Sequence, residues 1–172
     1  IIKLFDLPND ERFNLDTVGT PGSDRYFTNF NGKYPIFSKI KVMEGGIIDP
    51  NFRYFTSALI FTRLEDIVLL RAEALAVLGD INGALTAVAI ILVKRGITNI
   101  TINKELIDFI FEERNRELLG EGHRWYDLVR YNRIRQNDPA FTSLINSGGI
   151  YWPISRKLIS QNKLLTQNPY WQ

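Results

Sequence analysis

From about Arg63 onward the chain acquires a hydrophobic period that it lacks before. In RLEDIVLLRAEALAVLG, residues 63–79, Leu64, Ile67, Val68, Leu75 and Leu78 recur at spacings of three, four and seven, which predicts a helix with an apolar stripe. Gly79 supplies a stop and Asp80 a cap for the element that follows. INGALTAVAIILVKRG, residues 81–96, predicts a second helix ending at Gly96, apolar all round in its middle and therefore in need of cover on more than one side. So short a turn between two helices predicts an antiparallel hairpin. On its own, this chain is expected to expose an apolar patch or to self-associate.

Asn103 is placed to cap a third helix, with Glu105 in the first turn where the dipole favours an acid. LIDFIFEERNRELLG follows, Gly120 and Gly122 predict an interruption, and HRWYDLVRYNR resumes helical spacing through Trp125, Leu128 and Val129. Asp138-Pro139 predicts the start of a short helix. NSGGIYWP, residues 146–153, reads as a loop, because Trp152 before Pro153 is driven toward an extended backbone. The tail beyond it is polar and turn-rich.

Residues 1–57 contrast with all of this. Pro8, Pro21, Pro35 and Pro50 interrupt them, and the aromatics Tyr26, Phe27, Phe30, Tyr34 and Phe37 follow no sustained period. Short strands are predicted over 36–42 and 52–56, with Gly45-Gly46 as a turn. The fold class is therefore mainly α, helical hairpins with long irregular loops: a loop-rich segment 1–57, a helical core 58–135, and a segment 136–172 of short helix, loops and tail.

The stretch FEERNRELLGEGHRWYDLVRYNR, residues 111–133, holds ten charged and four aromatic side chains, and its charge has to be explained. Plotted at about 100° per residue, Ile107, Ile110, Phe111, Leu118, Trp125 and Leu128 share one stripe, and Arg114 and Glu121 lie inside it. Those two are seven residues apart, about 10.5 Å along a straight helix, too far to serve as each other's sole partner. Each needs an opposite charge from elsewhere, since an unpaired buried charge costs several kcal/mol. Asp66 and Glu73 share a face of the first helix, so Arg114 is predicted to pair with one of them and Glu121 to meet an arginine.

Composition narrows the chemistry. A chain of 172 residues suits one domain, and 45% hydrophobic with 23% charged residues is ordinary for a globular protein. A net charge of +2 makes no global demand for an acidic partner. The absence of cysteine removes disulfides, thiolate nucleophiles and cysteine metal sites together. No apolar run reaches the ~20 residues that span a membrane, the longest being 84–93. The opening IIKLFDLPND carries no initiator Met and no signal-peptide features, so the chain is expected to be soluble and a piece of a longer one.

Within 111–133, Glu113, Glu117 and Glu121 all have arginines within helical reach, which keeps them ionised and argues against a glycosidase acid and base. His123 is the single histidine, so neither a two-histidine metal site nor a second-histidine triad can be built. Arg124, Arg130, Arg133 and Arg135 beside Trp125, Tyr126 and Tyr131 raise nucleic acid as an alternative, but five acids share the stretch and the chain is nearly neutral. No cofactor, metal or nucleic-acid partner is expected, and the density reads as scaffolding.

The ordered set Glu113, Arg114, Glu117, Leu118, Glu121, Gly122, Arg124, Trp125, Asp127, Leu128 and Arg130 resembles the C-terminal signature of the SusD/RagB family. Arg63-Leu64, Asp66-Ile67, Leu69 and Ala72-Glu73-Ala74 are similar to the family's preceding helix, and Asp10-Glu11-Arg12 to its Asp-x-Arg element. Trp152-Pro153-Ile154 and Gln167-Asn168-Pro169-Tyr170 resemble its tail. The chain departs at Ala89, Leu92, Lys94 and Arg95, at Ser155 where a second proline is usual, and in having no glycine between Pro169 and Tyr170. The resemblance implies the C-terminal portion of a SusD-like, tetratricopeptide-related scaffold, with a preceding portion that would carry the signal peptide and a lipidated cysteine. It further implies a non-catalytic surface lipoprotein of polysaccharide utilisation, on the extracellular face of the outer membrane. Such a protein binds a glycan (or, in some members, a peptide) and passes it to a SusC-like TonB-dependent transporter. Asp66, Glu73, Arg114, Glu117, Glu121 and Arg124 would form its structural ion-pair network.

The family's signature does not place the ligand. Flat aromatic faces suit sugar C–H faces and polar groups fix hydroxyls. The loop candidates are Tyr26, Phe27, Phe30 and Tyr34 with Asn29 and Asn31, and separately Tyr151 and Trp152; packing against the helices is the alternative for both. Tyr170 and Trp171 are taken as packing. A second class of function is a helical interaction module that docks the transporter and holds no ligand, with exposed coplanar rings in the 26–34 loop as the discriminating feature.

Overall fold

The computed structural model describes residues 4–5, 7–12, 26–28, 36–37, 39, 43–45, 53–55, 60–99 and 101–172. It comprises two compact units, Ile1–Arg124 and Trp125–Gln172.

Among the described residues, the first unit opens with two antiparallel ribbons. β1 (Phe27–Thr28) pairs with β2 (Ile36–Phe37), Phe27 opposite Phe37. β3 (Met43–Gly45) pairs with β4 (Arg53–Phe55), Gly45 opposite Arg53. β2 and β4 fall within the strands expected from sequence. Gly45 does not: instead of turning the chain it is a ladder residue. Strands of two or three residues are too short for a period of two to register.

Three helices follow, α1 (Leu64–Val77), α2 (Ile81–Lys94) and α3 (Leu106–Glu117). Residues 78–80 join α1 to α2 as the expected antiparallel hairpin: Gly79 takes φ +85°, and the Asp80 side chain accepts from the Gly83 amide at 2.9 Å. Leu69 and Ala72 of α1, Val88 and Ile91 of α2, and Phe109 and Ile110 of α3 form one buried cluster, with Ala84 and Ala87 letting the helices approach closely.

The stripe predicted for α1 is rotated. Leu64, Ile67 and Leu78 are exposed, and the buried face runs through Asp66, Leu69, Ala72 and Glu73. Apolar residues lie on both sides of this helix, so their spacing alone does not choose a face; the arginine that binds Asp66 does. α3 also starts later than Asn103 predicts. Glu105 is its N-cap residue, without a side-chain cap bond, because Ile102 packs against the core and holds the preceding segment out of helical register.

The end of α2 places Arg95 at its C-cap. Gly96 takes φ +79° and the Ile97 amide donates to Leu92 O at 3.0 Å, closing a Schellman-type cap. A Cβ on Gly96 would lie 2.8 Å from Asn9 O, so only glycine lets the 9–12 segment dock here. The Glu11 amide donates to Arg95 O at 3.0 Å, and Arg12 enters the interior beside it.

The second unit carries α4 (Arg124–Arg135) from Trp125 onward, α5 (Pro139–Asn146) and α6 (Arg156–Gln161). Asp138 caps α5, accepting from the Phe141 amide at 3.0 Å with Pro139 in the first turn, as the sequence predicts. Asn132 Nδ2 donates to Thr142 Oγ1 at 2.9 Å and Trp125 meets Phe141 edge to face at 5.9 Å, locking α4 to α5. Within the tail, read as polar and turn-rich, α6 and a 3-10 turn at Pro169–Trp171 add short helical pieces.

Side-chain amides hold that tail. Gln167 Oε1 accepts from Ile154 N at 3.1 Å and its Nε2 donates to Ile154 O at 2.9 Å, imitating a strand partner. Asn168 Nδ2 donates to Gly148 O at 2.6 Å, and Trp171 Nε1 to Tyr151 O at 2.9 Å. The 148–154 loop is thus tied from both ends. Among the described residues, no helix is long and apolar enough to cross a membrane.

Candidate functional site

Two constellations stand out, one of charge in the first unit and one of aromatic rings in the second. In the first, Glu117 is completely buried at the last position of α3. Its carboxylate accepts from Arg12 Nη1 at 3.0 Å, Arg63 Nη1 at 2.8 Å, and Arg95 through Nε at 3.0 Å and Nη2 at 2.8 Å. Arg12 also binds Asp10 through Nε at 2.9 Å and Nη2 at 2.7 Å, and Glu113 through Nη1 at 2.7 Å. Arg116 Nε donates to Glu113 at 2.8 Å, and Arg63 Nε to Glu121 Oε2 at 2.9 Å. Arg114 Nη2 donates to Asp66 Oδ1 at 2.8 Å.

The same place finishes α3. The Glu117 carbonyl has no partner within its own helix and accepts instead from Arg63 Nη2 at 2.7 Å, from the Tyr26 hydroxyl at 3.0 Å, and from Lys39 Nζ. Cations at a helix C-terminus also meet the negative end of the dipole. Burial alone would raise the Glu117 carboxyl, but hydrogen bonds and charge from Arg95, Arg63 and Arg12 override it and hold the group at about 2. Burial likewise opposes the charge on Arg12, and Asp10 and Glu113 outweigh it. Burial and the charge of Glu117 push the Tyr26 hydroxyl up. Burial pulls Lys39 down to about 8, against its pairing with Glu121. A carboxylate held as firmly ionised as Glu117 is structural; a general acid needs the opposite environment.

The second constellation is a cavity of about 480 Å³ in the second unit. Trp125 and Tyr126 reach it from α4, and Tyr151 and Trp152 from the loop that the tail ties down. All four are exposed, Trp152 at 93%. Val129 and Ile150 complete the apolar lining, and Arg130 and Arg133 add guanidinium groups. The volume and the mix of aromatic rings with a few polar groups are those of small-ligand sites.

Of the residues singled out in the sequence, Asp66 pairs with Arg114, and Glu117 and Glu121 share Arg63. Glu73 is buried on the same face of α1 as Asp66, while Arg124 is exposed and outside the network among the described residues. Glu121 meets an arginine from outside its own helix, Arg63, as predicted, with Lys39 beside it. Glu117, for which arginines within helical reach were expected, is held instead by Arg12, Arg63 and Arg95 from elsewhere in the chain. Asp10-x-Arg12, read as a resemblance, was the one available signal for Arg12.

Tyr26 is a correction. It is 4% exposed, stacked edge to face with Phe5 at 6.2 Å beneath the Lys39 ammonium, and so serves the core and not a ligand. The side chain of Phe27, and Asn29, Phe30, Asn31 and Tyr34 altogether, lie outside the described residues. Tyr151 and Trp152 share the cavity with Trp125 and Tyr126, which the helical stripe and the nucleic-acid alternative had absorbed. Trp125 was expected in the core stripe of α3, but the break at residues 118–123 resets the phase and leaves it exposed on α4.

The sequence model of the SusD family matches residues 49–144. SusD-like protein P38 of Formosa agariphila is 39% identical over 124 residues, covering 65% of this chain and 24% of the relative. A crystal structure of a SusD superfamily protein from Bacteroides thetaiotaomicron VPI-5482 superposes with a TM-score of 0.81 at 42% identity. A SusD homolog from the same organism does so with a TM-score of 0.76 at 26% identity. Each covers 99% of this chain and 37% of the solved one. The chain therefore spans about a quarter of the curated relative's length and just over a third of the solved chains.

Proposed function

This chain belongs to the SusD family, and from that membership we propose that it takes part in non-catalytic capture of a glycan nutrient at the extracellular face of the outer membrane. The captured glycan passes to a SusC-like TonB-dependent transporter. The observation that carries the ligand half of this reading is the cavity ringed by Trp125, Tyr126, Tyr151 and Trp152. Aromatic rings offer broad apolar faces to sugar C–H groups, while guanidiniums reach hydroxyls. The non-catalytic half rests on Glu117 of α3, which Arg95, Arg63 and Arg12 hold ionised.

One observation favours a second reading, a helical module that docks the transporter without holding a ligand. α2 presents Leu85, Ile90 and Val93 outward beside the exposed Leu78 and Ile81, a run of apolar surface typical of protein contacts.

The deciding experiment is retention of the purified protein on immobilised polysaccharides, with reducing ends assayed in the same wells. Retention that falls in Trp152→Ala and releases no reducing ends supports the binding role and this cavity. Retention that ignores the substitution removes the cavity from the role. Absence of retention, with co-purification of the transporter abolished by Leu85→Asp and Ile90→Asp, supports the docking module.

A further inference from the structure

Among the described residues, the cavity carries charge of one sign only: Arg130 and Arg133 line it and no carboxylate does. The two stand three residues apart on one face of α4, with Tyr126 and Val129 on the same side. Their situations differ. Arg130 Nη2 is held by the buried Asp127 at 2.8 Å, which fixes its plane and offsets its charge. Arg133 is exposed and has no ion pair or hydrogen bond among the described residues.

In the first unit, by contrast, the guanidiniums of Arg12, Arg63, Arg95, Arg114 and Arg116 each meet at least one carboxylate. A neutral sugar needs aromatic faces and hydrogen-bond donors, but it does not need an uncompensated cation. A planar guanidinium beside a ring-lined cavity matches a carboxylate or sulfate ester, which it can bind through two parallel N–H donors.

We propose that the Trp125–Tyr126–Tyr151–Trp152 cavity selects anionic saccharides, with Arg133 pairing with the sugar's carboxylate or sulfate ester and Arg130, oriented by Asp127, as the neighbouring donor. This rests on the reading of the cavity as a glycan site. The rings hold the sugar faces and fix where the anionic substituent falls; the arginine discriminates by charge. Uronic acids and sulfated sugars present the same chemistry, and titration can tell them apart.

The test is calorimetric titration of the purified protein with three tetrasaccharides: an oligogalacturonate, a sulfated carrageenan oligosaccharide and neutral cellotetraose. Each is run at low and at high sodium chloride, on the wild type, Arg133→Gln and Trp152→Ala. Far-UV circular dichroism confirms that the variants fold, as expected for exposed positions. The expected result is at least tenfold tighter binding of one anionic probe than of cellotetraose, reduced to parity by Arg133→Gln and weakened by salt. Whichever anionic probe binds tighter identifies the substituent. Equal binding of all three, lost in Trp152→Ala, overturns charge selection while leaving the glycan site standing. An anionic preference unchanged in Arg133→Gln overturns the role of Arg133. Binding of none of the three overturns this inference, and neutral or anionic polysaccharide retention in the broader panel then decides the glycan reading separately.

Discussion

Arg114 on α3 donates to Asp66 Oδ1 at 2.8 Å and to the Asp66 main-chain oxygen at 3.2 Å, so one guanidinium fixes both side chain and backbone of α1 forty-eight positions away. Both side chains are buried. Asp66→Ala removes a buried carboxylate that binds the Arg114 guanidinium and is expected to cost roughly 3–5 kcal/mol, read from urea denaturation. The double variant Asp66→Leu with Arg114→Met removes both charges and should recover most of that. A double variant as unstable as the single would show that the two residues are not coupled.

Acid should unfold the first unit through Glu117. Its folded carboxyl sits at about 2, below the ordinary 4.5, so it favours the fold above about pH 4.5, and that contribution drains away as pH falls toward 2. Asp66 and Glu121 are lowered as well, each against its own burial: Asp66 by Arg114, Glu121 by Arg63 and Lys39, and they act in the same sense. Circular dichroism at intermediate urea across this range should show stability dropping steadily, and Glu117→Gln should start less stable and show a flatter profile.

Tyr26→Phe tests whether Tyr26 serves the core. Loss of the hydroxyl's bond to Glu117 O should cost about 1 kcal/mol, because Arg63 and Lys39 still cover that carbonyl. Polysaccharide retention should be unchanged. A variant of native stability that no longer binds glycan would restore Tyr26 to the ligand site.

Gln167→Ala should loosen the loop that carries Tyr151 and Trp152. Two main-chain bonds at Ile154 lose their partner, at about 1 kcal/mol each. Hydrogen exchange at the Ile154 amide is expected to accelerate about tenfold or more, with ligand affinity falling through lost preorganisation. Unchanged exchange would mean that the loop holds itself.

Where local chemistry dictated structure, the sequence was readable. Asp80 and Asp138 cap because a short acid precedes a helical run, and Gly79 and Gly96 stop helices by taking positive φ. Arg114 and Glu121, charges inside an apolar stripe, announced that partners had to come from elsewhere. Which partners was less legible, because Arg12 reaches Glu117 across 105 positions and no periodicity encodes such a distance. The buried face of α1 was misjudged for the same reason: a tertiary ion pair, not the leucine spacing, sets it. Trp125 and Tyr126 were missed as cavity residues because a helical phase carried across residues 118–123 does not survive the break there.

Glu117 is shared by Arg12, Arg63 and Arg95, which come from three separate parts of the chain. The shared carboxylate joins the mutational histories of those positions. Replacing Glu117 alone would leave three guanidiniums in the interior without their common anion, and replacing one arginine would leave the others to redistribute around a buried charge. Neutral drift through single substitutions is therefore closed to this quartet. A lineage that abandoned the arrangement would have to exchange several of these residues nearly together, so they should vary as a block across relatives even where the loops around them diverge freely.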